Sequence, residues 1–159
     1  MDLHLAGKRA VVTGASKGIG LAIVRALVDE GTQVVASART LSDELGGLVA
    51  DGRVEFEPLD LSAADGPATL VRSALRGGGI NILVNNVGAV TPRPSGFTAV
   101  SDEQWLQTIN LTLMAAVRTI RAVVPALIER GGEHRHDQLG ERRAARSARD
   151  RLLGRQGLR

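Results

Sequence analysis

Cysteine and tyrosine are both absent from the 159 residues, and aromatic side chains of every kind amount to 2%. The lack of cysteine excludes a disulfide framework, a thiolate nucleophile and a zinc-ribbon site. The lack of tyrosine removes the phenol as an acid or base, and the only lysines are Lys8 and Lys17. Long apolar runs are missing as well, with no window reading as the ~20 apolar residues of a membrane helix. The opening Met1-Asp2-Leu3-His4-Leu5-Ala6-Gly7-Lys8 sets an acid before the first apolar residues, unlike a secretory leader. A cytoplasmic protein without a membrane partner is therefore expected. What remains is ordinary for one globular domain: 43% apolar and 23% charged residues, in a chain of single-domain length.

The pI of about 10.5 suggests nucleic acid until the charge is divided along the chain. Residues 1–130 carry 12 Lys+Arg against 13 Asp+Glu, a net of −1, and residues 131–159 carry 8 Arg against 4 Asp+Glu, a net of +4. The basic character belongs to the tail, so the body offers no general polyanion surface. The tail has no aromatic to stack on bases, and nucleic-acid binding ranks last among the functions considered.

Up to residue 130, short β-rich runs alternate with helical spacing. Strands are predicted at Arg9–Thr13, Gln33–Ala38, Arg53–Leu59 and Ile80–Asn86, with helices at Gly18–Glu30, Leu41–Ala50 and Ala63–Arg76. Gly31 and the Gly77-Gly78-Gly79 run are helix stops. After a loop from Gly88 to Val100, Ser101 and Gln104 form a capping box for a helix reaching about Arg130, with Pro125 near its end. Trp105, Ile109, Leu113, Val117, Ile120, Val124 and Leu127 form its apolar stripe, and Trp105 and Met114 are assigned to the core. Alternation of this kind predicts right-handed βαβ units.

The first strand leads into Thr13-Gly14-Ala15-Ser16-Lys17-Gly18-Ile19-Gly20, where glycines permit close backbone approach and a helix N-terminus offers free N–H groups to a pyrophosphate. On its own such a turn is equally an ordinary tight turn. Here it resembles, at every fixed position, the TGxxxGxG fingerprint of the classical short-chain dehydrogenase/reductase family. Three further motifs match in order: Asp60-Leu61 after the third strand, Asn85-Asn86-Val87-Gly88 after the fourth (Val87 where the family has Ala), and Asn110 within Ile109-Asn110-Leu111. The resemblance covers residues 5–130. It implies a Rossmann-type α/β fold, a doubly wound parallel sheet in three α/β/α layers. Strands one to four are present in the order 3-2-1-4, and the sheet is incomplete. It implies NAD(P) binding by Gly14, Ser16, Lys17, Gly18, Ile19, Gly20, Arg39, Asp60, Leu61, Asn86, Val87 and Gly88, and a catalytic role for Asn110. It also implies a small alcohol or carbonyl substrate and a homo-oligomer assembled through the long helix.

The residues leave other readings beside these. Asp60 could simply cap the following helix. Asn110 could be a tolerated polar residue, although Leu106, Leu113 and Val117 at helical spacing turn it inward, where it needs a partner. His134 and His136 lack a third ligand, so no metal is assigned. Cofactor choice is read at the end of strand two. A carboxylate about 20 residues beyond the glycines would hold the 2′-hydroxyl of NAD. Ala38 stands there, and Arg39 and Lys17 suit a 2′-phosphate, so NADP is expected over NAD.

The family's chemistry uses Ser, Tyr and Lys in the next segment, with tyrosinate as acid or base and Lys four residues on. The chain has neither that Tyr nor that Lys, and is expected not to turn over. From Gly131 the composition changes to an Arg/Ala/Gly texture without β-branched residues. Residues 1–130 are accordingly one cofactor-binding unit and 131–159 an irregular tail. A reading-frame slip near Gly131–Glu133 accounts for the change: one nucleotide on, allowed codons spell a strand, Ser-Ser and Tyr-x-x-x-Lys. A natural divergent tail is the alternative.

Overall fold

The computed structural model describes residues 3–88, 92 and 96–129. Four strands form one sheet: β1 (Arg9–Thr13), β2 (Gln33–Ala38), β3 (Val54–Pro58) and β4 (Ile82–Val84). Their order is β3-β2-β1-β4 and every pairing is parallel, as the alternation of elements predicts. Because successive side chains of a strand leave opposite faces, β1 and β2 feed two cores. On one face Val12, Val34 and Ala36 pack with Leu21 and Val24 of α1 (Gly18–Asp29) and Leu45 of α2 (Asp43–Ala50). On the other, Val11 and Val35 pack with Leu70, Val71 and Ala74 of α3 (Gly66–Arg76) and with Val123 and Leu127 further on. The result is three layers.

Several boundaries move for local reasons. β4 is three residues long rather than seven, since β1 is its single partner among the described residues and pairs only Ala10 to Val12 with it. α3 begins at Gly66 rather than Ala63, with Pro67 in its first turn, where the missing N–H leaves no bond unmade. The segment before it is held as a tight turn by the Asp60 carboxylate, which accepts from the Ser62 N–H (2.9 Å) and hydroxyl (2.7 Å). Asp60 therefore does not cap α3; Asp65 occupies that position.

The long helix departs most from the expectation. The capping box forms, with the Ser101 hydroxyl accepting from Gln104 N–H and the Gln104 side chain accepting from Ser101 N–H. The helix then runs as α4 (Asp102–Ile109), one π turn (Asn110–Met114) and α5 (Ala115–Glu129), and passes through Pro125 without ending. Its buried stripe is the expected one only in part: Leu127 is buried, and Val117 and Val124 are half-buried. Ala115, Thr119, Val123, Ala126 and Leu127 face the core, whereas Trp105, Ile109, Leu113 and Ile120 are 43–56% exposed and Met114 is half-buried. α5 lies on α3, where small side chains allow close approach, and the large ones turn outward. Leu106 and Leu113 likewise point away from the core, so they do not turn Asn110 inward.

Contrary to the reading of the sequence, residues 102–129 are long and apolar enough to cross a membrane by length and composition. The apolarity comes from carrying two apolar faces, one of them buried on α3.

Candidate functional site

The sheet changes direction at β1: the chain leaves for β2 on one side and returns to β4 on the other. In such sheets the crevice at the carboxyl ends of the diverging strands is where ligands bind. Here the crevice lies between the turn after β1 and the segment after β4, and it forms a cleft of about 460 Å³, a volume suited to a cofactor-sized ligand.

The glycine turn is built by contacts that its sequence requires. Gly14 and Gly18 have φ of 63° and 57°, where a side chain is strained. Gly20 has a different reason: a Cβ there would overlap the Gly14 carbonyl oxygen and the Asn86 amide. That amide donates from Nδ2 to the same carbonyl at 3.0 Å, tying the turn to the end of β4. Thr13 completes the tie. Its buried hydroxyl donates to the Val84 carbonyl (3.3 Å) and accepts from the N–H groups of Asn86 (3.0 Å) and Val87 (3.3 Å). On the other side Ala15 N–H donates to the Ser37 carbonyl (3.1 Å), and the Ser42 hydroxyl donates to the Ser16 carbonyl (2.5 Å). Among the described residues no side chain caps the N-terminus of α1, which leaves its first N–H groups beside the cleft wall at Lys17 and Ile19 without a capping acceptor.

Ten expected site residues line the cleft: Gly14, Ser16, Lys17, Ile19, Arg39, Asp60, Leu61, Asn86, Val87 and Gly88. Gly18 and Gly20 are not in the lining; Gly18 supplies a positive φ to the turn, and Gly20 packs against the Gly14 carbonyl. Asn85 is exposed beside it. Asn110 is not in the lining; its neighbour Leu111 is. His134 and His136 lie outside the described residues, as does the tail from residue 130. Sequence reasoning overlooked Ser37, Thr40, Leu59 and Leu111 in the wall. For Ser37 a signal existed, a hydroxyl near the carboxyl end of an otherwise apolar parallel strand. Leu111 had none, because its placement depends on the π turn.

The electrostatics are one-sided. Lys17 and Arg39 are exposed on the wall, and neither is in an ion pair among the described residues. Asp60 is the one carboxylate in the lining. The Ser62 hydroxyl, then the Ser62 N–H and the charge of Arg39 hold its carboxyl below the usual aspartate range. Ser37 Oγ is fully buried and has no hydrogen-bond partner among the described residues. A buried hydroxyl of that kind calls for a ligand or water partner. Free helix N–H groups, unpaired cations and an orphaned hydroxyl around a glycine turn together fit a phosphorylated ribose ligand.

Comparison with known proteins agrees with this geometry. The family model described as short chain dehydrogenase matches residues 8–134. L-xylulose reductase of Bos taurus is 43% identical over 133 residues, covering 82% of this chain and 52% of its own. An uncharacterised oxidoreductase of Bacillus subtilis is 34% identical over 131 residues, covering 80% and 49%. Among solved structures, L-sorbose reductase from Gluconobacter frateurii, complexed with NADPH and L-sorbose, superposes with a TM-score of 0.74 at 37% identity, covering 82% of this chain and 51% of that one. The chain thus spans about half the length of the curated relatives it matches.

Proposed function

Because the chain belongs to the short-chain dehydrogenase family, we propose that its cleft holds NADP(H) in preference to NAD(H), in the service of that family's alcohol–carbonyl oxidoreduction. One observation carries the preference: Lys17 and Arg39 stand on the wall in no ion pair among the described residues, and Ala38, not an acid, ends β2. A 2′-phosphate would gain charge-assisted bonds from these cations, and a 2′-hydroxyl would gain little. The L-sorbose reductase bound to NADPH supports the same side of the choice.

The roles of the other residues follow from position. The N–H groups at the start of α1 would receive the pyrophosphate. Asp60 and Leu61 would border the adenine, and Ser37 Oγ would find its partner in the ribose end of the ligand. When bound, the nicotinamide supplies or accepts the hydride. The chain as written holds no tyrosine, and Lys17 belongs to the glycine turn. Among the described residues the cleft then lacks the family's group for moving a proton at the substrate oxygen, a contribution worth about 10²–10⁴-fold in rate by itself. The 159 residues are therefore a dinucleotide-binding protein without turnover. On the reading that residues 131–159 are out of frame, restoring the frame upstream of Glu133 should bring activity back, whereas a natural divergent tail predicts that it does not.

Two titrations test the binding claim. The chain should bind NADPH at least about tenfold more tightly than NADH, and Arg39→Asp should reverse the order, since an Asp repels the 2′-phosphate. Equal affinities in the unsubstituted chain would defeat the preference. Oxidation of NADPH with a panel of ketones and aldehydes should be undetectable for the chain as written, and any turnover would reveal another acid or base.

A further inference from the structure

Asn110 is bonded at both ends of its amide. Its Nδ2 donates to the Ser62 carbonyl at 2.8 Å, and its Oδ1 accepts from Arg118 Nη1 at 2.7 Å. Ser62 in turn donates its N–H and its hydroxyl to one oxygen of Asp60, the carboxylate on the cleft wall. An unbroken chain of hydrogen bonds runs from a cation on α5 to the cleft.

The π turn makes this chain possible. Eight residues apart on a regular helix, two side chains diverge by about 80° around the axis. A π turn absorbs one extra residue, worth about 100°, and brings the pair back to within about 20°. Arginine side chains lean towards the helix N-terminus, so Arg118 reaches back two turns to Asn110. Arg118 is half-buried and in no ion pair among the described residues, which leaves its charge directed at a neutral amide oxygen. A charge-assisted bond of that kind fixes which way the amide faces. With Oδ1 held by the cation, Nδ2 must face Ser62.

We infer that Arg118 is a positioning residue for the nucleotide cleft: it orients the Asn110 amide, the amide holds the 60–62 turn, and the turn sets the Asp60 carboxylate. The inference rests on the cleft being a dinucleotide site. Without Arg118 the amide can rotate, the Ser62 carbonyl loses its fixed donor, and the turn before α3 loosens beside Leu61. Arg121, exposed one turn along the same helix, takes no part and serves as control.

The 159-residue chain and its Arg118→Met and Arg121→Met variants are titrated with NADPH by fluorescence. In each ligand-free protein the Asp60 carboxyl is followed by carbon-detected NMR. Arg118→Met should weaken NADPH binding about five- to tenfold. It should also move the Asp60 titration upward, towards the ordinary aspartate range, because the Ser62 donors no longer sit squarely on the carboxylate. Arg121→Met should do neither. Unchanged affinity in Arg118→Met overturns the inference, and so does weakened affinity with an unmoved Asp60 titration, which marks a merely structural effect. Should Arg118→Met not fold, Arg118→Gln, whose amide stops short of Asn110, replaces it in both measurements. The same losses are then expected, and the same two results overturn the inference. Failure of the unsubstituted chain to bind NADPH would remove the dinucleotide reading and this role with it. Binding by that chain with an indifferent Arg118→Met removes the role alone.

Discussion

A methyl group at Gly20 would land on the Gly14 carbonyl and the Asn86 amide, the two groups whose bond fastens the glycine turn to β4. The Asn86 amide could swing aside only by breaking that bond, and the Gly14 carbonyl is main chain, so the backbone has to yield. Gly20→Ala should destabilise the fold by about 1–3 kcal/mol and abolish NADPH binding, read by thermal melting and by titration. Ser62 offers a gentler test. Its hydroxyl is the foremost group holding the Asp60 carboxyl below its usual range, ahead of its N–H and of Arg39. A carboxyl lowered in the folded state adds stability above the unfolded value and loses it as the pH falls through the folded one. The stability gap between the unsubstituted chain and Ser62→Ala should therefore be present near neutrality and close on acidification. A gap independent of pH would mean that the hydroxyl does not act through Asp60.

Among the elements, the helix of residues 102–129 sets the clearest expectations. Ser101→Ala breaks the capping box at its start and should cost about 1 kcal/mol, measured from denaturant midpoints. The same helix marks how far the sequence could be read. β1 and β2 were legible to the residue, because each is a buried apolar run bounded by polar or glycine-rich turns. The cleft was legible as well, since the glycine turn, Asp60 and Asn86 follow the carboxyl ends of β1, β3 and β4. The π turn was not, since an apolar stripe reports a mean period and conceals one extra residue. A trace remained: Trp105, Ile109, Leu113 and Val117 advance by four each time, whereas a 3.6-residue repeat alternates threes and fours. Burial on that helix was misjudged because size was taken for depth, although Ala115, Thr119 and Ala126 make the closer contact. Arg118 gave no signal, because its distance from Asn110 is meaningful only once the π turn is known.

For the whole molecule, the outward face of that helix exposes Trp105, Ile109, Leu113 and Ile120, and strand β4 is only half-buried. Exposed apolar residues along one helix favour association. Sedimentation velocity should show concentration-dependent self-association, and Ile109→Lys with Leu113→Lys should suppress it; a strictly monomeric unsubstituted chain would refute this. The strand order carries a last consequence, one of time. β1 pairs with β2 across a short stretch of chain, Arg9 opposite Gln33, but with β4 across a long one, Ala10 opposite Ile82. Loop-closure entropy grows with the length enclosed, so the three strands to residue 58 assemble first and β4 docks late. Substitutions such as Leu83→Ala should accordingly hasten unfolding and leave the refolding rate nearly unchanged. The Asn86 bond to Gly14 forms only with that late docking, so the nucleotide site is the last part of the chain to exist and the first to be lost.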